Sequence, residues 1–278
     1  MGRSGSRGIG LASVLAASAL VVPLEAAAAD VDMFDGQWQY QATIYGWLPS
    51  MYTTFRLPIA AGGGTTTVDI KPHDYLSDLK FALMAAAEAR RGEWSIFTDL
   101  FYADLSSLTA HVRQINLPPP VSTVLPFDTE ASGHVRSTVW TLVGGYTVIK
   151  TPSASLDVIG GFRYADLKLS ADWSATGPVG GITLSGGAST SVRPWDGIIG
   201  VKGAVGLADD NRLFMPYEAD IGWGSKQRTW NGFIGLGYRF DWGDLLFAYR
   251  NLSYIPNGEP TLDKFRMGGL LLGATFRW

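Results

Sequence analysis

The chain has 278 residues, a formal net charge of -3 and no cysteine, which excludes a disulfide framework, a thiolate metal site and a lipidated cysteine behind a leader. No basic run accompanies this near-neutral charge, so nucleic acid is excluded as a partner. Glycine (34), tryptophan (10), tyrosine (11) and phenylalanine (13) are abundant, while no long apolar run follows residue 29. Many aromatics without a spanning helix suit a barrel in lipid, although a soluble β-sandwich shares the composition.

Residues 1–29 read as a signal peptide. Arg3 and Arg7 make a positive start, Ile9 to Val22 is an apolar run of roughly 14 residues, and Ala27-Ala28-Ala29 offers small residues for cleavage before Asp30. The run is too short to span a membrane as a helix. Residues 30–278 are then expected to form one domain.

From Gln37 onward the chain alternates. Gln37, Gln39, Gln41 and Thr43 fall on one face, and Trp38, Tyr40, Ala42 and Ile44 on the other. About ten strands follow, at 37–48, 79–91, 94–106, 134–149, 155–169, 191–207, 212–224, 229–240, 244–254 and 265–278. Residues 53–70 contain Gly62-Gly63-Gly64 between two β-prone pieces, and a hairpin there gives 12 strands if it joins the wall. If the hairpin extends above the membrane or folds inward, the count stays at ten. His73 to Asp78 has the pattern of a short helical turn. Leu79 to Arg91 is a strand by parity, against the strong helix preference of Ala85-Ala86-Ala87-Glu88-Ala89-Arg90.

In the later strands the same division places Asp196, Gly200 and Lys202 against Trp195, Ile199, Val201 and Val205. It places Glu218, Asp220 and Gly222 against Ile221 and Trp223. In the closing segment Gly269, Leu271, Gly273, Thr275 and Arg277 face away from Leu270, Leu272, Ala274, Phe276 and Trp278. Short turns are expected at Arg91-Gly92-Glu93, Pro152, Asp209-Asp210-Asn211 and Asp241-Trp242-Gly243. Most of the other links are longer, at 49–78, 107–133, 170–190 and 255–264, and that rhythm matches a barrel with short periplasmic turns and long external loops. Trp38, Trp94, Tyr146, Phe240 and Trp278 fall near one set of strand ends, and Tyr102, Tyr164, Trp195, Trp223 and Trp230 near the other, as two interfacial girdles would. The fold expected is all-β, a transmembrane antiparallel up-and-down β-barrel.

Several segments carry a resemblance to small proteobacterial outer-membrane β-barrel proteins of the porin-like superfamily. They are Tyr45-Gly46-Trp47-Leu48-Pro49, Glu88-Ala89-Arg90-Arg91-Gly92-Glu93-Trp94, Gly160-Gly161-Phe162-Arg163-Tyr164, Trp195-Asp196-Gly197-Ile198-Ile199-Gly200, Asp220-Ile221-Gly222-Trp223-Gly224 with Trp230, and Gly237-Tyr238-Arg239-Phe240. Such barrels commonly have Pro after the Trp-Asp pair, where this chain has Gly197. The resemblance implies an architectural protein integral to the outer membrane, in contact with its lipids and lipopolysaccharide. It also implies that Phe276 and Trp278 signal to the barrel-assembly machinery. It supplies no ligand.

Projected inward, the alternation predicts a lumen charge network of Lys80, Glu88, Arg90, Asp99, Asp157, Arg163, Asp196, Lys202, Glu218, Asp220, Arg239, Arg250 and Arg277. Buried charges are stable only when paired or hydrated, so a ladder of ion pairs is expected. Two functional readings share that network. The charges could set selectivity in a narrow passage for small solutes or ions, or they could fill and rigidify a closed barrel, since about ten strands lie nearer a filled interior than a porin channel. Long, Pro-, Ser-, Thr- and Gly-rich external links at 107–133 and 170–190 also suit surface binding.

Hydrolysis is the third class. His73, His111 and His134 are the histidines, and His111 with His134 could approach Asp104 or Asp128. In omptin-like proteases, paired acids and a His line the outer mouth, whereas here no Asp-His pair stands at matching spacing. No enzyme activity, cofactor or metal is expected: His73-Asp74 and Asp209-Asp210 are isolated pairs lacking further ligands.

Overall fold

The computed structural model describes residues 36–57, 64–76, 79–116, 124–125, 129–176, 183–225, 227–257 and 262–278. The expected leader, Pro118-Pro119-Pro120, Asp128 and Gly180-Gly181 lie outside them. The described elements are β1 (Trp38–Leu57), β2 (Gly64–Ile70), α1 (Pro72–Tyr75), β3 (Leu79–Arg91), β4 (Trp94–Asn116), β5 (Val124–Leu125), β6 (Thr129–Lys150), β7 (Ala154–Thr176), β8 (Thr183–Val192), β9 (Trp195–Gly206), β10 (Leu213–Trp223), β11 (Gln227–Phe240), β12 (Gly243–Pro256) and β13 (Leu262–Arg277).

Ten of these strands close a cylinder. Its wall runs β1, β3, β4, β6, β7, β9, β10, β11, β12, β13 and back to β1. Closure comes from the antiparallel β1–β13 ladder, which runs from Gln41↔Arg277 to Phe55↔Leu262. Tyr40 and Trp278 extend it by exchanging backbone hydrogen bonds of 2.9 and 3.0 Å. A closed ladder leaves no edge strand, the condition for β-structure in lipid.

The 53–70 hairpin adds no wall position. β2 pairs with β1 from Met51↔Ile70 to Leu57↔Gly64 and with the far part of β4. β3 occupies the same slot lower down, from Trp38↔Arg91 to Ile44↔Ala85. The chain therefore descends one slot as β2, turns through α1, and continues as β3. β8 and β9 likewise share one side of β7 in sequence, β8 above and β9 below. The strand expected at 191–207 is thus divided at Arg193-Pro194, where proline has no N–H for a ladder and its carbonyl accepts from Ala165 N at 3.0 Å.

Leu79–Arg91 is a strand despite its alanines. Pairing with β4 along its length and with β1 over residues 85–91 outweighs a helix preference of a few tenths of a kcal/mol per residue, about what the propensity scale allows. Several expected loops are strand: β1, β4, β6 and β7 run past the wall into paired extensions at one end of the cylinder. The opposite end has tight turns. Gly92 takes φ +57 in the β3–β4 turn and Asn211 φ 53 in the β9–β10 turn, left-handed positions that glycine and asparagine tolerate.

The outer face is apolar. Ile44, Leu83, Ile96, Ile199, Ile221, Ile234, Leu236, Leu270 and Leu272 are all exposed. At the turn end, Trp38, Tyr40 and Trp278 stack in a chain with centroids 6.1 and 6.3 Å apart, Trp94 meets Tyr146 at 4.9 Å, and Phe240, Trp242 and Phe276 follow at 5.8 and 5.7 Å. At the other end, Phe81 meets Tyr102 at 5.9 Å, and Trp195 meets Phe162 and Tyr164 at 5.4 and 4.8 Å. An apolar band between two aromatic belts is the outside of a membrane barrel.

Candidate functional site

The interior has two layers. On β1 and β13, small and polar residues occupy the inward positions nearer the turns, Gln41 and Thr43 or Thr275 and Gly273, and large apolar residues those nearer the extensions, Trp47 and Met51 or Met267 and Phe265. β4 shows the order: Asp99 is followed inward by Phe101, Ala103 and Leu105, all buried.

The lower layer begins at Glu88 and Arg90 on β3. Arg90 donates to Glu88 Oε1 at 3.2 and 3.0 Å and to Thr147 Oγ1 at 2.7 Å, and its Nη2 pairs with Asp157 on β7. Thr147 Oγ1 in turn donates to Asp157 Oδ1 at 2.6 Å. Glu88 also accepts from Gln41 Nε2 at 3.0 Å and pairs with Lys202 of β9. The Lys202 ammonium lies 3.7 Å from the centroid of the Phe97 ring, a cation–π contact that lines its path across the lumen.

Above this, Arg250 of β12 reaches Asp99 of β4 at 2.7 Å. It also donates to Tyr45 Oη at 3.2 Å and Asn231 Oδ1 at 3.2 Å, while Tyr45 donates to Asp99 Oδ1 at 2.6 Å. Arg163 grips Asp220 in a bidentate pair, 2.9 and 2.8 Å, and donates to Thr141 at 3.1 Å. Asn231 Nδ2 links the two systems by donating to Asp220 at 2.9 Å and Glu218 at 3.0 Å. Asp196 accepts from Gln227 Nε2 at 2.7 Å.

Of the charges projected inward from sequence, Glu88, Arg90, Asp99, Asp157, Arg163, Asp220, Lys202, Glu218 and Arg250 meet in these clusters. Asp196 is buried beside them. Arg239 lies over the Phe214 ring at 4.9 Å, and Arg277 pairs with Asp244 near the turn end. The side chain of Lys80 lies outside the described residues. The sequence reading missed Tyr45, Asn231, Thr141, Thr147 and Asp244. Tyr45, Asn231, Thr141 and Thr147 have the inward parity but carry no charge to mark them, and Asp244 stands at the start of β12, beside Asp241-Trp242-Gly243, where an acid reads as turn chemistry.

The pairs bridge the cylinder. Between β9 of Lys202 and β3 of Glu88 stand β7, β6 and β4. Between β12 of Arg250 and β4 of Asp99 stand β13, β1 and β3. Neither pair joins neighbours, so each side chain crosses the bore. Directly above lies the apolar layer, with Trp47, Met51, Phe101, Leu167, Leu252, Phe265 and Met267 buried together. Trp47 is its floor: the indole Nε1 donates to Gly269 O at 3.3 Å, its ring meets Phe101 edge-on at 5.2 Å, and Arg250 sits 5.3 Å from it.

Of the histidines, His134 Nε2 lies 3.4 Å from Asp104 Oδ1, whose other oxygen accepts from Arg136 at 3.1 and 2.8 Å. His73 Nε2 lies 3.0 Å from Asp74 Oδ1 within α1. The side chain of His111 lies outside the described residues. Among the described residues no group of three or more His, Cys, Asp or Glu side chains could hold a metal ion.

With its closed antiparallel wall, apolar girth and aromatic belts, the fold is that of an outer-membrane β-barrel. No protein-family profile matches the chain, and no curated protein matches it. Solved structures do. The outer membrane protease OmpT of Escherichia coli superposes with a TM-score of 0.57 at 13% identity, covering 88% of this chain and 97% of that one. The translocator domain of the autotransporter NalP from Neisseria meningitidis is also similar, at a TM-score of 0.34 and 17% identity, covering 87% of this chain and 88% of that one. The likeness to OmpT is one of fold: at that identity it transfers no chemistry.

Proposed function

We propose that the chain is an integral outer-membrane barrel, closed at rest, whose lumen is a cross-braced core and whose paired extensions form the external working surface. The observation that carries this reading is the pair of ionic cross-bars, Lys202–Glu88 and Arg250–Asp99, joining distant strands across the bore. Water and ions would have to displace charged groups that already satisfy one another, and then the apolar layer above them. A permanent passage is disfavoured by both.

Purified protein in planar bilayers is expected to give no current steps above the protein-free background. A steadily open channel sinks this reading and returns the network to the role of a selectivity filter. In the same reading the turn end and both chain termini face the periplasm. Phe276 and Trp278 on the lipid side of β13 act as the signal for the assembly machinery, and membrane lipids and lipopolysaccharide surround the wall. No catalytic step is assigned, because Asp104, the acid beside His134, is already held by Arg136.

The membrane setting has its own test. Leu272 lies 65% exposed in mid-wall, so Leu272→Arg is expected to cost about 2–4 kcal/mol in urea unfolding from phospholipid vesicles, as cations do at bilayer mid-depth. A change within about 0.5 kcal/mol, typical of a water-exposed surface site, contradicts a lipid-facing Leu272.

A further inference from the structure

The extension end of the wall is uneven. β4 and β7 run on to Asn116 and Thr176, whereas β10 stops at Trp223, β11 starts at Gln227, and β9 starts only at Trp195. Above that low rim, β8 pairs with β7 alone among the described strands. The step falls at Pro194, which has no N–H to carry a ladder from β8 into β9.

A recess of about 330 Å³ opens at this step, near the lower bound for small-molecule sites. Burial grades it from rim to floor. Among the described residues that line it, Ser191, Arg193 and Ser225 are exposed, Gln227 is half-buried, and Leu167 and Tyr254 are 1% and 2% exposed. The floor belongs to the apolar layer, of which Leu167 and Tyr254 are members.

Tyr254 carries the observation that points to a ligand. Its Oη is buried and has no hydrogen-bond partner among the described residues, and a buried hydroxyl is costly to leave unpaired. Charge disfavours an ion as the missing partner. Arg193, held by Asp166 at 3.4 Å, stands at the rim, and the buried carboxylate of Asp196 stands behind Gln227, whose Nε2 it holds at 2.7 Å. A net charge of either sign meets its like on one side. A neutral hydroxyl both donates and accepts, as a lone phenol does.

We propose that this recess binds one pyranose ring of a neutral sugar, whose hydroxyls complete Tyr254 and meet Gln227, Ser191 and Ser225. A pyranose presents an apolar C–H face and a ring of hydroxyls, which match the apolar floor and the amide and hydroxyl groups above it. The proposal deepens the reading of the extensions as the external working surface, and rests on it for the side from which the sugar arrives.

The test is equilibrium dialysis of the full mature chain in amine-oxide micelles, which hold no sugar. Radiolabelled D-glucose and D-galactose are the probes, with acetate, methylammonium and acetamide as comparators. One saturable hexose site is expected. Tyr254→Phe is expected to weaken it about fivefold, the worth of one net hydrogen bond, without lowering the urea midpoint of the ligand-free barrel, because Oη has no protein partner to lose. Ser225→Trp plugs the rim and is expected to abolish binding. In phospholipid vesicles, competition by lipopolysaccharide assigns the sugar to its glycan, and indifference to lipopolysaccharide assigns a free sugar; both keep the site. Planar-bilayer current reads the closed lumen separately, so the recess and the closed barrel fail independently. Absence of saturable hexose binding, binding unchanged in both variants, or equal binding of a comparator overturns the proposal. A lowered urea midpoint for Tyr254→Phe also overturns it, since the hydroxyl would then be bonded within the protein.

Discussion

Asp220→Ala is expected to destabilise the barrel by about 3–5 kcal/mol, the loss typical of breaking a buried ion pair from one side. The Arg163 and Asp220 side chains are 1% and 0% exposed, and both carboxylate oxygens are taken by the guanidinium. Removing the acid leaves Arg163, 1% exposed, with Thr141 as its remaining hydrogen-bond partner among those described. Asn231, which bridges Asp220 and Glu218, loses one acceptor in the same step. The double variant Arg163→Met/Asp220→Leu is expected to recover most of the loss, because an apolar pair needs no counter-charge. Urea unfolding from vesicles of the single and double variants reads the comparison. If Asp220→Ala costs less than about 1 kcal/mol, water reaches Arg163, and the closed lumen is wrong at its centre.

Much of this interior was legible in the sequence, and the reason is geometric. Side chains alternate with period two, so one correctly placed strand assigns every second residue to the lumen, as with Glu88 and Arg90 on β3 or Asp196 and Lys202 on β9. The partners could not be read. Lys202 meets Glu88 because of strand tilt and register around a closed wall, and neither leaves a local trace. The apolar layer was legible in principle, since Phe101 and Leu105 share parity with Asp99, and Leu252 and Tyr254 with Arg250. Large apolar residues at inward positions look the same as those of any packed core, so they do not mark a layer of the lumen as charges do. The divided slot of β2, α1 and β3 had weaker signals: Pro49, Pro72 and the triple glycine mark interruptions, but not that two pieces would stack in one wall position. The long links read as loops are partly strand because water-exposed hairpins can continue a ladder with threonines and serines that carry no amphipathic pattern.

The second large effect belongs to the one tryptophan described as buried inside the bore. Trp47→Ala is expected to cost about 3–5 kcal/mol, the range for deleting a large aromatic from a packed core. Trp47 is 1% exposed, whereas Trp38, Trp94, Trp195, Trp223 and Trp278 are each more than half exposed on the belts. Alanine there removes the edge contact with Phe101, leaves Gly269 O without its indole donor, and strips Arg250 of the ring beneath which it is held. The last loss makes Trp47 and Arg250 energetically coupled, by about 1–2 kcal/mol for a desolvated cation–π pair, and a double-mutant cycle with Arg250→Met measures it. Trp47→Ala should remain electrically silent in planar bilayers, because the Lys202–Glu88 and Arg250–Asp99 cross-bars close the bore below the void. Current from this variant alone would make the apolar layer the only seal and reduce the ion pairs beneath it to lining.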